Sequence, residues 1–216
     1  MIKAVIFDMD GVLVNSEKLK SLAWKNILEK LGIKDGDIWE KQFIGMPRIY
    51  LCRKAVSEFS LSLKPEELAE MKKTTYKEMA KNHVEPVQPA IDFLKSLPRE
   101  KVKIGLATST DREIVLGQLD MIGLSNHFDA IMCGEDDVKR NKPYPDIYLL
   151  AAEKLNIRPE QCVAIEDSGP GVESAKSAGM KCIAYRNPDS GKQDLSKADL
   201  IIDDFSKFTA TELLSL

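Results

Sequence analysis

The feature that most constrains this chain's fold is an alternation that begins near residue 90 and continues almost to the C-terminus. Short apolar runs over 102–107, 130–133, 162–165, 181–185 and 200–202 are interleaved with helical periodicity over 112–122, 145–155 and 171–178, and a helix over 90–97 leads into them. Runs this short and this uniformly apolar predict strands buried on both faces. Alternating βα units then predict a parallel sheet covered by helices on each side. The run Ala4-Val5-Ile6-Phe7 at the N-terminus has the same character and belongs to the same sheet. The expected fold class is α/β with a Rossmann-like core.

Between the first strand and that alternation lies a block with no strand signal. Leu19, Leu22, Ala23, Ile27, Leu28 and Leu31 recur at helical spacing, with Ser16 as a candidate N-cap and Gly32 as a stop. Further helices are expected over 35–44, ended by Gly45 and Pro47, then over 49–59 and 65–81. The last opens with Pro65-Glu66-Glu67, a composition suited to a first turn. The Pro-punctuated segment Val84-Glu85-Pro86-Val87-Gln88-Pro89 reads as a linker. Residues 1–14 and 87–216 are therefore expected to form the α/β core, and 15–86 an inserted, lid-like helical cap domain.

With 44% apolar and 30% charged residues, the chain can bury a sizeable core. A formal net charge of -3 and the lack of a basic cluster argue against a nucleic-acid partner. Cys52, Cys133, Cys162 and Cys182 are scattered without metal-binding spacing, and read as buried reduced thiols. No signal peptide is recognisable, and no apolar stretch approaches the roughly 20 residues of a membrane span. The expectation is a cytoplasmic monomer with no membrane partner.

Chemistry gathers where the strands end. The first runs into Asp8-Met9-Asp10-Gly11, the second into Thr108-Ser109-Thr110-Asp111, and the fourth into Glu166-Asp167-Ser168-Gly169. Lys142 follows the third strand, in the loop before the helix at Pro145. Each has an ordinary reading on its own. Asp-x-Asp-Gly is turn chemistry, Thr110 or Asp111 is a helix N-cap, and an isolated lysine is a solvated one. Their shared placement is harder to dismiss, because the carboxyl ends of parallel strands converge on one edge of the sheet. Asp8, Asp10, Glu166 and Asp167 carry up to four negative charges there, against one positive charge from Lys142. That imbalance calls for a cation, and an oxygen-only donor set favours Mg²⁺. With the ion bound, Lys142 and the Thr108 hydroxyl can cradle a phosphoryl group.

These motifs, in this order, resemble those of the haloacid dehalogenase-like phosphohydrolases, in the branch of β-phosphoglucomutases and sugar phosphatases. Phe7-Asp8-Met9-Asp10-Gly11-Val12, Ala107-Thr108-Ser109-Thr110, Lys142-Pro143 with Pro145-Asp146, and Glu166-Asp167-Ser168-Gly171 carry the resemblance. The helical insert resembles that branch's cap. The resemblance implies that Asp8 is the nucleophile, forming an aspartyl-phosphate, and that Asp10 is the general acid and base. It implies that Thr108 and Ser109 bind the phosphoryl oxygens and that Lys142 neutralises them. Asp8, the Asp10 carbonyl and Asp167 would hold Mg²⁺, with Glu166 either a direct ligand or a residue supporting one. In the cap, Glu17 and Arg48 are implied to face the substrate, a small phosphorylated metabolite.

Of three departures from the family's pattern, the first bears on function. The mutases carry His where this chain has Lys20, which favours hydrolysis over phosphosugar mutase activity. Asn15 stands where many relatives have Asp, and Asn141 where a Gly is common. A phospho-accepting receiver-like module is a further reading. Asp10 argues against it, since a switch needs no general acid two residues from its phosphorylated Asp.

Overall fold

The computed structural model describes residues 1–34, 39 and 48–216, with only the backbone at Arg48 and Glu135. The expected helix over 35–44 and the Gly45-Met46-Pro47 loop lie outside the described residues. The chain forms two compact units, one of Met1–Asn15 with Val84–Leu216 and the other of Ser16–His83.

The larger unit holds six parallel strands: β1 (Ala4–Phe7), β2 (Lys103–Thr108), β3 (Ala130–Cys133), β4 (Cys162–Glu166), β5 (Lys181–Tyr185) and β6 (Leu200–Ile202). Their spatial order is β3-β2-β1-β4-β5-β6. The winding reverses between β1 and β4, and in doubly wound sheets the crevice at such a reversal is where ligands bind. Period-two alternation divides the core. Val5, Phe7, Ile104, Leu106, Val163 and Ile165 face one side, and Ala4, Ile6, Ala107 and Ala164 the other.

The first face is covered by Ile91, Phe93 and Leu94, together with Val115 and Leu119. The second is covered by Ile147, Tyr148, Ala151 and Leu155, with Val172 and Ala175. Gly105 lets this second layer come close, since a Cβ there would lie 3.1 Å from a Leu155 methyl.

The smaller unit is helical among its described residues: α1 (Glu17–Lys30), α2 (Arg48–Glu58) and α3 (Pro65–Ala80). Trp24, Ile27, Leu28, Leu51, Cys52, Ala55 and Leu68 form its own core, so Trp24 is a packing residue. Ser16 occupies the N-cap position of α1 as expected, but its side chain makes no capping bond.

The larger unit continues with α4 (Gln88–Ser96), α5 (Arg112–Met121), α6 (Gly134–Asp137), α7 (Asp146–Leu155), α8 (Gly169–Ser177) and α9 (Ala210–Leu214). Two of these correct the expectations. α4 starts at Gln88 and α8 at Gly169, each two residues early, because Pro is tolerated in a first helical turn. The expected linker is likewise ordered: Val14 bridges Pro86, and the Asn15 amide donates to the Glu85 carbonyl at 2.7 Å. The short α9 is additional to the expected elements: Thr209 and Glu212 form a capping box at its start, Leu213 enters the core, and Phe205 and Phe208 join that core just ahead of the helix. All four cysteines are free and buried, and among the described residues no helix is long and apolar enough to cross a membrane.

Candidate active site

The Asp8 amide donates to the Ile165 carbonyl at 2.9 Å, extending the β1–β4 ladder by one step beyond Phe7. That step places Asp8 at the reversal point, beside Glu166 and Asp167 at the end of β4. The chain then turns through Gly11, whose φ of +80° is favourable for glycine. A side chain at this position would also be blocked, because its Cβ would fall 1.9 Å from Asp167 Oδ2. The turn closes where the Gly11 amide donates to Val14 O at 2.7 Å.

Lys142 joins the carboxylates. Its Nζ lies 2.6 Å from Asp8 Oδ1, 2.5 Å from Glu166 Oε1 and 3.0 Å from the Ala107 carbonyl. An ammonium has three protons, so every donor is used. Glu166 is equally committed. Oε1 accepts from Lys142 and from the Tyr148 hydroxyl at 2.7 Å, and Oε2 accepts from the Asp167 amide at 3.2 Å and the Ser168 hydroxyl at 3.1 Å. Gly171 makes room for this carboxylate, since a Cβ there would lie 2.0 Å from it. The Ser168 hydroxyl in turn accepts from the Gly171 amide at 3.1 Å, capping α8.

Burial governs the protonation of this group. It pushes the Asp8 carboxyl up to about 7 against the pull of Lys142, and the nearby Glu166 and Asp10 add to the rise. Burial alone would discharge Lys142, but Asp8 and Glu166 outweigh it and hold the ammonium well above its ordinary value.

Asp10 is held separately, by Thr110 Oγ1 donating to its Oδ2 at 2.7 Å and Thr108 Oγ1 at 3.5 Å. Thr108 is fully buried and also accepts from the Thr110 amide at 3.1 Å, whereas Ser109 is exposed. Neither Thr110 nor Asp111 caps α5 with its side chain. The Arg112 amide instead donates to Asp136 at 2.8 Å.

The structure thus brings together Asp8, Asp10, Thr108, Lys142, Glu166 and Asp167. Glu17 starts α1 in the helical unit, where its carboxylate pairs with Lys20 at 2.8 Å. The Arg48 side chain lies outside the described residues. Of the other two departures, Asn15 Nδ2 donates to Asp189 Oδ2, whereas Asn141 packs over Gly134, where a Cβ would overlap its amide, and its Oδ1 is buried without a hydrogen-bond partner. A carboxylate at position 15 would meet Asp189 with like charge.

Tyr148, Thr110 and Ser190 bond to this cluster, and Asn187 to the Gly11 carbonyl beside it; none of the four is among the site residues expected from the sequence. Tyr148 reads as one more apolar position on α7. The Asn187-Pro188-Asp189-Ser190 run, however, follows an apolar strand just as the motifs did, and that rule would have flagged it.

Asp8, Glu166 and Asp167 each offer a carboxylate oxygen, and these oxygens all lie within 4.8 Å of one another. Buried oxygen donors with a surplus of negative charge suit a hard divalent cation such as Mg²⁺.

The sequence profile described as haloacid dehalogenase-like hydrolase matches residues 5–185. A phosphorylated carbohydrates phosphatase of Thermotoga maritima is 38% identical, covering 84% of this chain and 83% of its own. The β-phosphoglucomutase of Bacillus subtilis is 32% identical, over 96% and 92% respectively. Among solved structures, CbbY from Rhodobacter sphaeroides in complex with phosphate superposes with a TM-score of 0.83 at 25% identity, covering all of both chains. Carboxylates at the sheet reversal and a match spanning most of the chain lead to one assignment: the protein belongs to the haloacid dehalogenase-like hydrolases.

Proposed function

We propose that this chain is a Mg²⁺-dependent phosphatase that hydrolyses a small phosphomonoester through an aspartyl-phosphate on Asp8. The observation that carries the reading is the buried Asp8–Lys142–Glu166 arrangement beside Asp167, at the point where the sheet order reverses. Asp8, Asp167 and the Asp10 carbonyl would hold the ion, whereas Glu166 already accepts four hydrogen bonds and serves to fix Lys142. The bound ion would supply positive charge against the phosphoryl oxygens and keep Asp8 ionised.

Asp8 attacks phosphorus, and the bond to the leaving alcohol breaks as the Asp8–phosphorus bond forms. Asp10 gives its proton to the departing oxygen, its carboxyl steadied by Thr110. Asp10 then takes a proton from water as that water attacks phosphorus, which frees phosphate and restores Asp8. Lys142, with its three protons committed, acts through charge held close to the transferring group. Thr108 and Ser109 supply donors at the end of β2.

The Thermotoga relative named for phosphorylated carbohydrates supports a sugar phosphate as the substrate class. The Bacillus mutase keeps the mutase reading alive. Against it stands Lys20, a paired cation where the mutases carry His. Four free, buried cysteines support a reducing, cytoplasmic setting. The test is phosphate release from a panel of phosphorylated metabolites with and without Mg²⁺. Release that requires the ion is expected. No release from any compound would overturn the reading, and faster isomerisation of a hexose 1-phosphate than phosphate release would favour the mutase.

A further inference from the structure

Beyond Tyr185 the chain loops back against the catalytic turn instead of leaving the sheet edge. Three hydrogen bonds tie this loop to the turn and to the end of β4. Asn187 Nδ2 donates to the Gly11 carbonyl at 2.8 Å, Asn15 Nδ2 donates to Asp189, and Ser190 Oγ donates to Asp167 Oδ2. The loop is braced from behind, with Gln193 donating to the Ser190 carbonyl at 2.8 Å and accepting from the Gly169 amide at 3.1 Å.

Serine hydroxyls in loops commonly bond to backbone groups of their own turn. That of Ser190 is directed to a carboxylate 23 residues away in sequence. Both side chains are buried, with Ser190 5% and Asp167 7% exposed. The space around them is tight, since a Cβ on Gly11 would lie 1.9 Å from Asp167 Oδ2 and 2.9 Å from Ser190 Oγ. One oxygen of Asp167 is thus clamped between the Gly11 backbone and the Ser190 hydroxyl. This fixes rotation about the Cβ–Cγ bond and sets where the other oxygen can meet a cation.

We propose that Ser190 is a positioning residue for Asp167, and that the loop after β5 sets the affinity of the site for its divalent cation. This rests on the reading of Asp167 as a cation ligand. Partners that orient a metal-binding side chain typically change affinity or activity by about 10–100-fold when removed.

The test is Mg²⁺ binding to the purified full chain, followed by titration calorimetry and by the Mg²⁺-induced rise in melting temperature. Ser190→Ala is expected to bind Mg²⁺ about tenfold or more weakly than the unaltered protein. Its kcat at saturating Mg²⁺ should be little changed, so that the loss appears in the Mg²⁺ dependence of turnover. Ser190→Thr keeps the hydroxyl and should retain most of the affinity. If the alanine variant does not fold, Ser190→Cys, with similar volume and a weaker donor, carries the comparison. Equal binding constants for the altered and unaltered proteins would overturn this proposal and leave the cation reading intact. No Mg²⁺ binding by the unaltered protein would instead remove the cation reading, and this proposal with it.

Discussion

Replacing Lys142 with methionine removes the ammonium that is bonded to both Asp8 and Glu166, while nearly preserving side-chain volume. Lys142 and both carboxylates are buried, with side-chain exposures of 7%, 7% and 0%. Removing one partner of a buried ionic group leaves uncompensated charge and costs about 3–5 kcal/mol. In a chain of 216 residues that corresponds to a fall in melting temperature of about 6–20 °C. The loss has a definite pH dependence. Without Lys142, the burial of Asp8 and its neighbour Glu166 act unopposed, so Asp8 binds a proton more tightly in the folded state than in the unfolded chain. The variant is then relatively more stable at low pH and loses stability as pH rises through the raised carboxyl value. The unaltered protein shares part of this trend, because Asp8 is already pushed up to about 7, so the gap between the two should widen from pH 5 to pH 8. Adding Glu166→Gln to Lys142→Met removes one of the stranded charges and should recover about half of the deficit. Thermal melts in a chelating buffer provide the assay. A Lys142→Met protein melting within about 2 °C of the unaltered one near pH 8, or a deficit independent of pH, would refute the reasoning.

Two further outcomes follow from buried groups. Gly171→Ala would ordinarily favour a helix, but here its Cβ would overlap the Glu166 carboxylate, which is fixed by four hydrogen bonds. A loss of about 1–3 kcal/mol is expected in chemical denaturation, and an equal or greater stability would contradict the packing. Burial pushes the thiols of Cys133 and Cys162 up to about 11 and 12, and that of Cys182 higher still. The thiolate is the reactive form, so these three should resist a disulfide reagent near pH 8 in the native protein and react once it is unfolded. Fast native labelling of any of them would contradict their burial.

The framework was legible because it follows from period and composition. Both faces of β1 are buried, as its unbroken apolar run requires, and Asp8 falls one residue beyond the strand. Lys142 was legible only through its company. As a single residue it is an ordinary surface lysine, and only the parallel arrangement brings it 2.6 Å from a carboxylate 134 residues away. The supporting polar groups were harder to find, for two different reasons. Tyr148 is a core residue by periodicity, and nothing in one sequence shows that its hydroxyl reaches Glu166. Ser190 depends on the path of a loop whose hydrogen bonds are long-range, and propensity has no bearing on them. The C-terminal helix α9 is five residues long, too short for a periodic signal.

The most direct test of the central claim is to trap the phosphoryl group on the enzyme. Turnover of the best substrate from the panel, quenched with acid and then reduced with borohydride, converts an acyl phosphate on aspartate to homoserine. Peptide mass spectrometry should locate that change at Asp8 and nowhere else, and Asp8→Asn should abolish it together with phosphate release. Phosphate release by Asp8→Asn at a rate near that of the unaltered enzyme, or a reduced residue at any other carboxylate, would contradict the account.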